Sequence, residues 1–281
     1  MKESILGIIA AIAVVVTFAA LRHAGAPRDL AVVADNGGKM TAIAMHFDPR
    51  VVAEISETYE DLLRELPADV EVHVLVEKAA DFASFKVLLS QWRIAATDRF
   101  SAIVVGKRIT TWSRDRYTLA NDHGRPVLLV PPRPTEGNPA RRNDWDAPFA
   151  LARSVSGAQT KVVDLLFEGG DFTATATHIF ATALLRERNY GGDLYDRDKL
   201  LAWLSQHTGK TPILLGNSLA DVPEHHIGMF VTPLDGRRIL VGDPDLGIAL
   251  FHASHSDPSQ LAQAIDRRDP TTLVAARMGC P

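Results

Sequence analysis

KVVDLLFEGGD, residues 161–171, is the stretch on which the fold reading turns. Its first seven residues are mostly apolar and have the length of a buried strand. They run directly into Glu168-Gly169-Gly170-Asp171. Paired glycines permit positive φ and a close backbone approach, so Glu168 and Asp171 can point into one cleft. A tight turn with a capping acid is the plain alternative. An apolar strand ending in acids and glycines is the kind of edge at which α/β sheets form sites.

The same grammar recurs on both sides. Upstream, the apolar run 100–105 (FSAIVV) is soon followed by TWSRDRY, residues 111–117. Downstream, HHIGMF, residues 225–230, opens a hairpin of strands at 227–231 and 238–241. Further strands are predicted at 30–33, 70–76, 127–130, 161–167, 179–184 and 212–215, with helices at 51–66, 79–92, 196–207 and 259–266. The 51–66 helix rests on Val52, Ile55, Tyr59, Leu62 and Leu63 at helical spacing, and the 70–76 strand on strict alternation in VEVHVLV. The strand–strand–helix–strand rhythm returns at roughly 50–60 residues, a weak internal repeat. Residues 131–148, rich in proline and carrying Arg141-Arg142-Asn143-Asp144, read as one long irregular segment and a lid candidate.

Composition narrows the function. The 281 residues carry a net charge of −4, which offers no basic field for nucleic acid. No phosphate-binding glycine loop or dinucleotide fingerprint follows a strand, so no cofactor is implied. The single cysteine, Cys280, excludes an internal disulfide and any CxxC site. Residues 5–21 form an uncharged apolar run, about 25 Å long as a helix, slightly short of a ~30 Å hydrocarbon core. Residues 1–28 are therefore expected to be a signal peptide or N-terminal membrane anchor, with residues 29–281 as an exported α/β domain, periplasmic or extracellular.

The three clusters supply carboxylates and a titratable histidine, the groups proton transfer needs. Asp115 lies between two arginines, so a surface ion pair with Arg114 or Arg116 is one reading and a binding carboxylate another. His225 and His226 are adjacent, so their side chains diverge. With no HExxH-like spacing, no metal is expected.

In this order the clusters resemble motifs of the guanidine-modifying (pentein) superfamily, most closely its agmatine deiminase and peptidyl-arginine deiminase branch. TWSRDRY is similar to the W-x-R-D segment, FEGGDF to the E-G-G-[ND] turn, and HHIGMFVTPL with RRILVGDP to the H-x-D-x-F segment and its following strand. The resemblance implies a five-bladed α/β propeller of repeated ββαβ units, incomplete at its C-terminus. It also implies a guanidine or amidine hydrolase acting on an arginine-, agmatine- or peptidyl-arginine-like substrate. On that reading Asp115, with Trp112 and Asp171, binds substrate, and the planar guanidinium fork suits paired carboxylates. Glu168 also faces the guanidinium and orients His226, the general acid/base, while a cysteine thiolate attacks the guanidinium carbon. Two positions depart from the pattern. Gly228 stands where the family has a second guanidinium-binding carboxylate, and Cys280 lacks the His-Cys setting of the family nucleophile. The alternative is a non-catalytic exported protein of the same ancestry that binds a small cationic or peptide ligand through Asp115 and Glu168.

Overall fold

A computed structural model describes residues 30–242, apart from 37, 96, 136, 224, 236 and 237, together with residue 248 and a strand at 276–278. The apolar run 5–21, the helix expected at 259–266 and Cys280 lie outside the described residues. Among the described residues no helix is long and apolar enough to cross a membrane.

In chain order the strands and helices are β1 (Leu30–Val32), β2 (Ala42–His46), α1 (Val52–Glu65), β3 (Glu71–Val76), α2 (Ala79–Gln91) and β4 (Phe100–Val104). Then come β5 (Thr118–Asp122), β6 (Arg125–Val130), α3 (Pro139–Asn143), α4 (Ala147–Ser154) and β7 (Gln159–Val162). They are followed by β8 (Thr173–Ala174), β9 (His178–Thr182), α5 (Ala183–Arg188), α6 (Arg197–Thr208), β10 (Thr211–Leu215), β11 (Val231–Pro233), β12 (Ile239–Gly242) and β13 (Ala276–Met278). Among the described residues these strands form four sheets, in the orders β2-β3-β4, β1-β5-β6-β7, β8-β9-β10 and β11-β12-β13. The chain is therefore mixed α/β. Ring closure of the sheets is not seen among the described residues.

The ββαβ rhythm is real in two places. β5 and β6 pair antiparallel, α3 and α4 follow, and β7 returns parallel to β6. β8 and β9 repeat the antiparallel pair, α5 and α6 follow, and β10 returns parallel to β9. The first sheet differs, since β2, β3 and β4 are all parallel with one helix in each crossover. Its middle strand explains the alternation in the sequence. Val72, Val74 and Val76 face the cluster that includes Leu63 of α1 and Phe85 of α2, while Leu75 faces a second core with Leu151 of α4. Burying such side chains contributes roughly 1.5–3 kcal/mol each. A third core joins β6, β9 and α6 through Leu129, Ile179, Leu200 and Leu204.

Three local expectations are corrected. First, residues 131–148 are not irregular throughout. Asn138 caps α3 by accepting from Ala140 and Arg141 backbone N–H groups, and Pro139 occupies the first turn. Asp144 is fully buried and accepts from the Thr110 backbone N–H (2.7 Å) and hydroxyl (2.5 Å), while the Trp145 indole donates to the Pro131 carbonyl (2.9 Å). Second, β7 ends at Val162, short of the strand expected at 161–167. The residues of that stretch still alternate in burial, with Val163, Leu165 and Phe167 inside. The ladder, however, gives way to one side chain: Asn189 donates to the Leu166 carbonyl (2.9 Å) and accepts from the Leu166 N–H (3.0 Å). Third, Ile227–Met229 is a single 3₁₀ turn, and strand pairing begins only at Val231.

Candidate active site

The clusters meet through the backbone first. The Gly169 N–H donates to the Asp115 carbonyl (3.1 Å), and Arg114 Nε donates to the Gly169 carbonyl (3.2 Å). Arg114 also pairs with Asp35 (2.9 Å), so it stitches the Glu168–Asp171 turn to the segment after β1 and leaves Asp115 to other partners. The reading of Asp115 as a surface pair with its neighbours is thereby overturned. Asp115 is 4% exposed, and its partner is Arg141 from α3.

Neither Gly169 nor Gly170 adopts positive φ, so close approach is the reason for both. A Cβ on Gly169 would fall well inside 3.0 Å of the Arg114 and Tyr117 carbonyl oxygens. One on Gly170 would fall inside 3.0 Å of three atoms of the His226 side chain. The histidine ring thus lies directly over Gly170. It is held there by the next residue, Ile227, which is fully buried in a cluster with Phe180 of β9 and Val231 of β11.

Glu168 is the hub. Its Oε2 lies 3.0 Å from His226 Nε2 and 2.7 Å from Arg188 Nη2. Its Oε1 accepts from Arg141 Nη2 at 2.6 Å and has Arg116 Nη1 at 3.9 Å. The same Arg141 Nη2 lies 2.5 Å from Asp115 Oδ2, and Arg141 Nη1 lies 3.3 Å from Asp144 Oδ2. One guanidinium therefore bridges the two carboxylates that sequence analysis selected for guanidinium binding.

These contacts set the protonation states. Burial works to raise Glu168, but the His226 hydrogen bond and the Arg188 and Arg141 charges outweigh it and hold its pKa down at about 2. The hydrogen bond to Glu168 raises His226 against its burial, and Asp115 and Asp171 add to the rise. His226 is accordingly expected to titrate above 6.5 by NMR, and Glu168→Gln to lower that midpoint. A wild-type midpoint at or below 6.5 would contradict the geometry. Linkage gives the sign. This pair's contribution from His226 is complete below 6.5 and fades as pH rises through the elevated pKa.

The remaining expected residues have other surroundings. Asp171 is 2% exposed, caps the Glu168 N–H (2.8 Å) and lies 2.8 Å from Arg188 Nε. Burial raises its pKa despite Arg188. Trp112 is 60% exposed, beside the turn that carries Asp115. A Cβ on Gly228 would meet nothing within 4 Å, so the position leaves room for the carboxylate the motif lacks. Arg141 and Arg188 were not selected from sequence; the Arg141-Arg142 run on a proline-rich segment was the only signal. Ligand atoms of Asp115, Glu168 and His226 lie within 4.8 Å of one another, near enough to share a metal ion. Arg141 Nη2 already contacts both carboxylates and supplies the positive charge a cation would bring.

No family model matches the sequence, and no curated protein matches it. Solved structures do. The agmatine deiminase of C. jejuni superposes with a TM-score of 0.58 at 17% identity, covering 75% of this chain and 63% of that one. The agmatine deiminase of Enterococcus faecalis gives 0.54 at 11% identity, covering 75% and 60%. A protein provisionally described as a peptidyl-arginine deiminase gives 0.55 at 16%, covering 75% and 64%. The chain spans less than two thirds of each. It has the fold of these proteins over three quarters of its length.

Proposed function

We propose that this chain is a deiminase-type guanidine-modifying protein whose pocket holds a guanidinium between Asp115 and Glu168. One observation carries the reading: a guanidinium, that of Arg141, sits against both carboxylates at 2.5 and 2.6 Å, with His226 Nε2 3.0 Å from Glu168. Both contacts are made by Nη2 while Nη1 lies 3.3 Å from Asp144, so the two terminal nitrogens of one guanidinium serve three carboxylates where an amine offers one nitrogen. Its four sheets are read as blades of the five-bladed propeller the resemblance implies.

In the reaction the resemblance implies, a cysteine thiolate adds to the guanidinium carbon; the one cysteine of this sequence, Cys280, lies outside the described residues. Charged His226 gives its proton to the departing nitrogen, which leaves as ammonia. Neutral His226 then takes a proton from water, whose oxygen displaces the thiolate and leaves a ureido product. The raised His226 pKa suits the first step, since the ring begins as an acid. A binding protein without turnover is the second reading, favoured by Gly228. Asp171 does not replace the missing carboxylate arm, being buried and paired with Arg188.

The test is to incubate the full chain with agmatine, arginine and an arginyl peptide, assay ammonia and ureido product, and titrate the same compounds calorimetrically. In an Arg141→Ala background, where Arg141 does not compete, Asp115→Asn is expected to weaken binding about 30-fold, the loss of one charge-assisted contact worth ~2 kcal/mol. Product formation supports the enzyme. Binding that needs Asp115 without product supports the second reading. Binding indifferent to Asp115→Asn in the Arg141→Ala background removes both.

A further inference from the structure

We infer that Arg141 is the pocket's own occupant, a guanidinium supplied in cis that an external guanidine must displace, and that it sets the pocket's preference for guanidines over amines. The inference rests on the proposed reading of Asp115 and Glu168 as a guanidinium site.

The Asp115 backbone and the Glu168 carboxylate are positioned without Arg141. Asp115 and Glu168 are joined through the Gly169 N–H and the Asp115 carbonyl, and Glu168 is gripped independently by Arg188 and His226. Arg141 reaches them from outside that framework, on the five-residue helix α3. Of the anchors of its segment only Asp144 also touches the Arg141 side chain, at 3.3 Å from Nη1. Asn138 caps the helix, Asp144 is held by Thr110, and Trp145 is held by the Pro131 carbonyl. Arg141 can therefore leave by side-chain rotation while α3 stays docked. Its side chain is 18% exposed against 6% for Asp115, which places it on the solvent side of the pocket.

Exchange explains the selectivity. When one guanidinium replaces another, Asp115 and Glu168 are not left buried and unpaired and Asp144 keeps its two Thr110 hydrogen bonds, so the swap avoids the penalty that emptying the pocket would carry. Arg141 meets Asp115 and Glu168 through Nη2 and Asp144 through Nη1 at 3.3 Å, a span of three carboxylates that the single nitrogen of an alkylammonium cannot cover. An alkylammonium would lose the competition with Arg141. Self-occupancy also lowers apparent affinity by the fraction of molecules in which the pocket is open.

The test titrates ethylguanidinium and propylammonium into wild type, Arg141→Ala, Arg141→Gln and Arg141→Ala/Asp115→Asn, by calorimetry and by thermal melting. Either single variant is expected to bind ethylguanidinium at least 30-fold more tightly than wild type. It should also gain a saturable rise in melting temperature that propylammonium does not give and the double variant lacks. A variant that is unfolded alone but restored by millimolar ethylguanidinium supports the inference equally, and failure of ethylguanidinium to restore it overturns it. If wild type and the Arg141 variants bind with equal affinity, and Asp115→Asn weakens both, internal occupancy is wrong while the guanidinium site stands. If none binds, the site reading falls too. Equal stabilisation by propylammonium removes the selectivity.

Discussion

Gly169→Ala is expected to cost roughly 3 kcal/mol or more, among the largest effects of any single methyl group added to this chain. The added carbon would fall well inside 3.0 Å of two backbone carbonyl oxygens, those of Arg114 and Tyr117. Neither is the tip of a flexible side chain, so the Glu168–Asp171 turn must separate from the Arg114–Tyr117 segment. Separation would break the Gly169 N–H bond to Asp115 and the Arg114 bond to the Gly169 carbonyl. Because Gly169 lacks positive φ, alanine by itself would be tolerated or slightly favoured there. Any loss therefore reports the contact alone. Urea unfolding decides it, and a midpoint indistinguishable from wild type would mean that the two segments are not in contact as described.

Glu168→Gln is expected to destabilise the protein by about 3 kcal/mol at neutral pH and to abolish guanidine binding. The carboxylate faces Arg141, Arg188 and His226 at 3.0 Å or less, with its side chain 14% exposed. Removing its charge strands positive groups in a partly desolvated cluster, and breaking such a network by deleting one partner typically costs 3–5 kcal/mol. The pH dependence carries a second signature. With a folded pKa of about 2 against an ordinary 4.5, Glu168 contributes stability that is complete above 4.5 and lost as pH falls toward 2. Wild type and variant should thus converge on acidification. A difference in unfolding free energy that stays constant from pH 7 to pH 2.5 would show that Glu168 is not the hub.

Strands and helices with one dominant period were legible in the sequence. The 51–66 and 79–92 helices and the 70–76 strand emerge within a residue or two of their observed bounds, because Val72, Val74 and Val76 really do face one core. Long-range substitutions for regular pairing were not legible. Nothing in residues 161–167 announces that Asn189, more than twenty residues on, will satisfy the Leu166 backbone. The strand β5, which ends in Asn121-Asp122, carries too little hydrophobic signal to be read. For the site, Asp115, Glu168 and His226 stood out because packing alone seldom puts acids and a histidine beside the ends of apolar strands, and the three do converge. The two glycines were found for an incomplete reason: their service is contact, not φ. Asn138-Pro139 is a helix start that the surrounding prolines obscured, and with it went the helix that delivers Arg141.

The end of α5 has a mechanical consequence. Arg188 grips the Glu168 carboxylate, and the adjacent Asn189 grips the backbone two residues before it. Main chain and side chain of one acid are thus fastened to neighbouring rungs of a single support. When that support drifts, the carboxylate and its counter-charge travel as one piece, and the separation between them survives the excursion. Asp115 and Arg141 instead ride on different segments, so thermal jostling should fall chiefly on that pair.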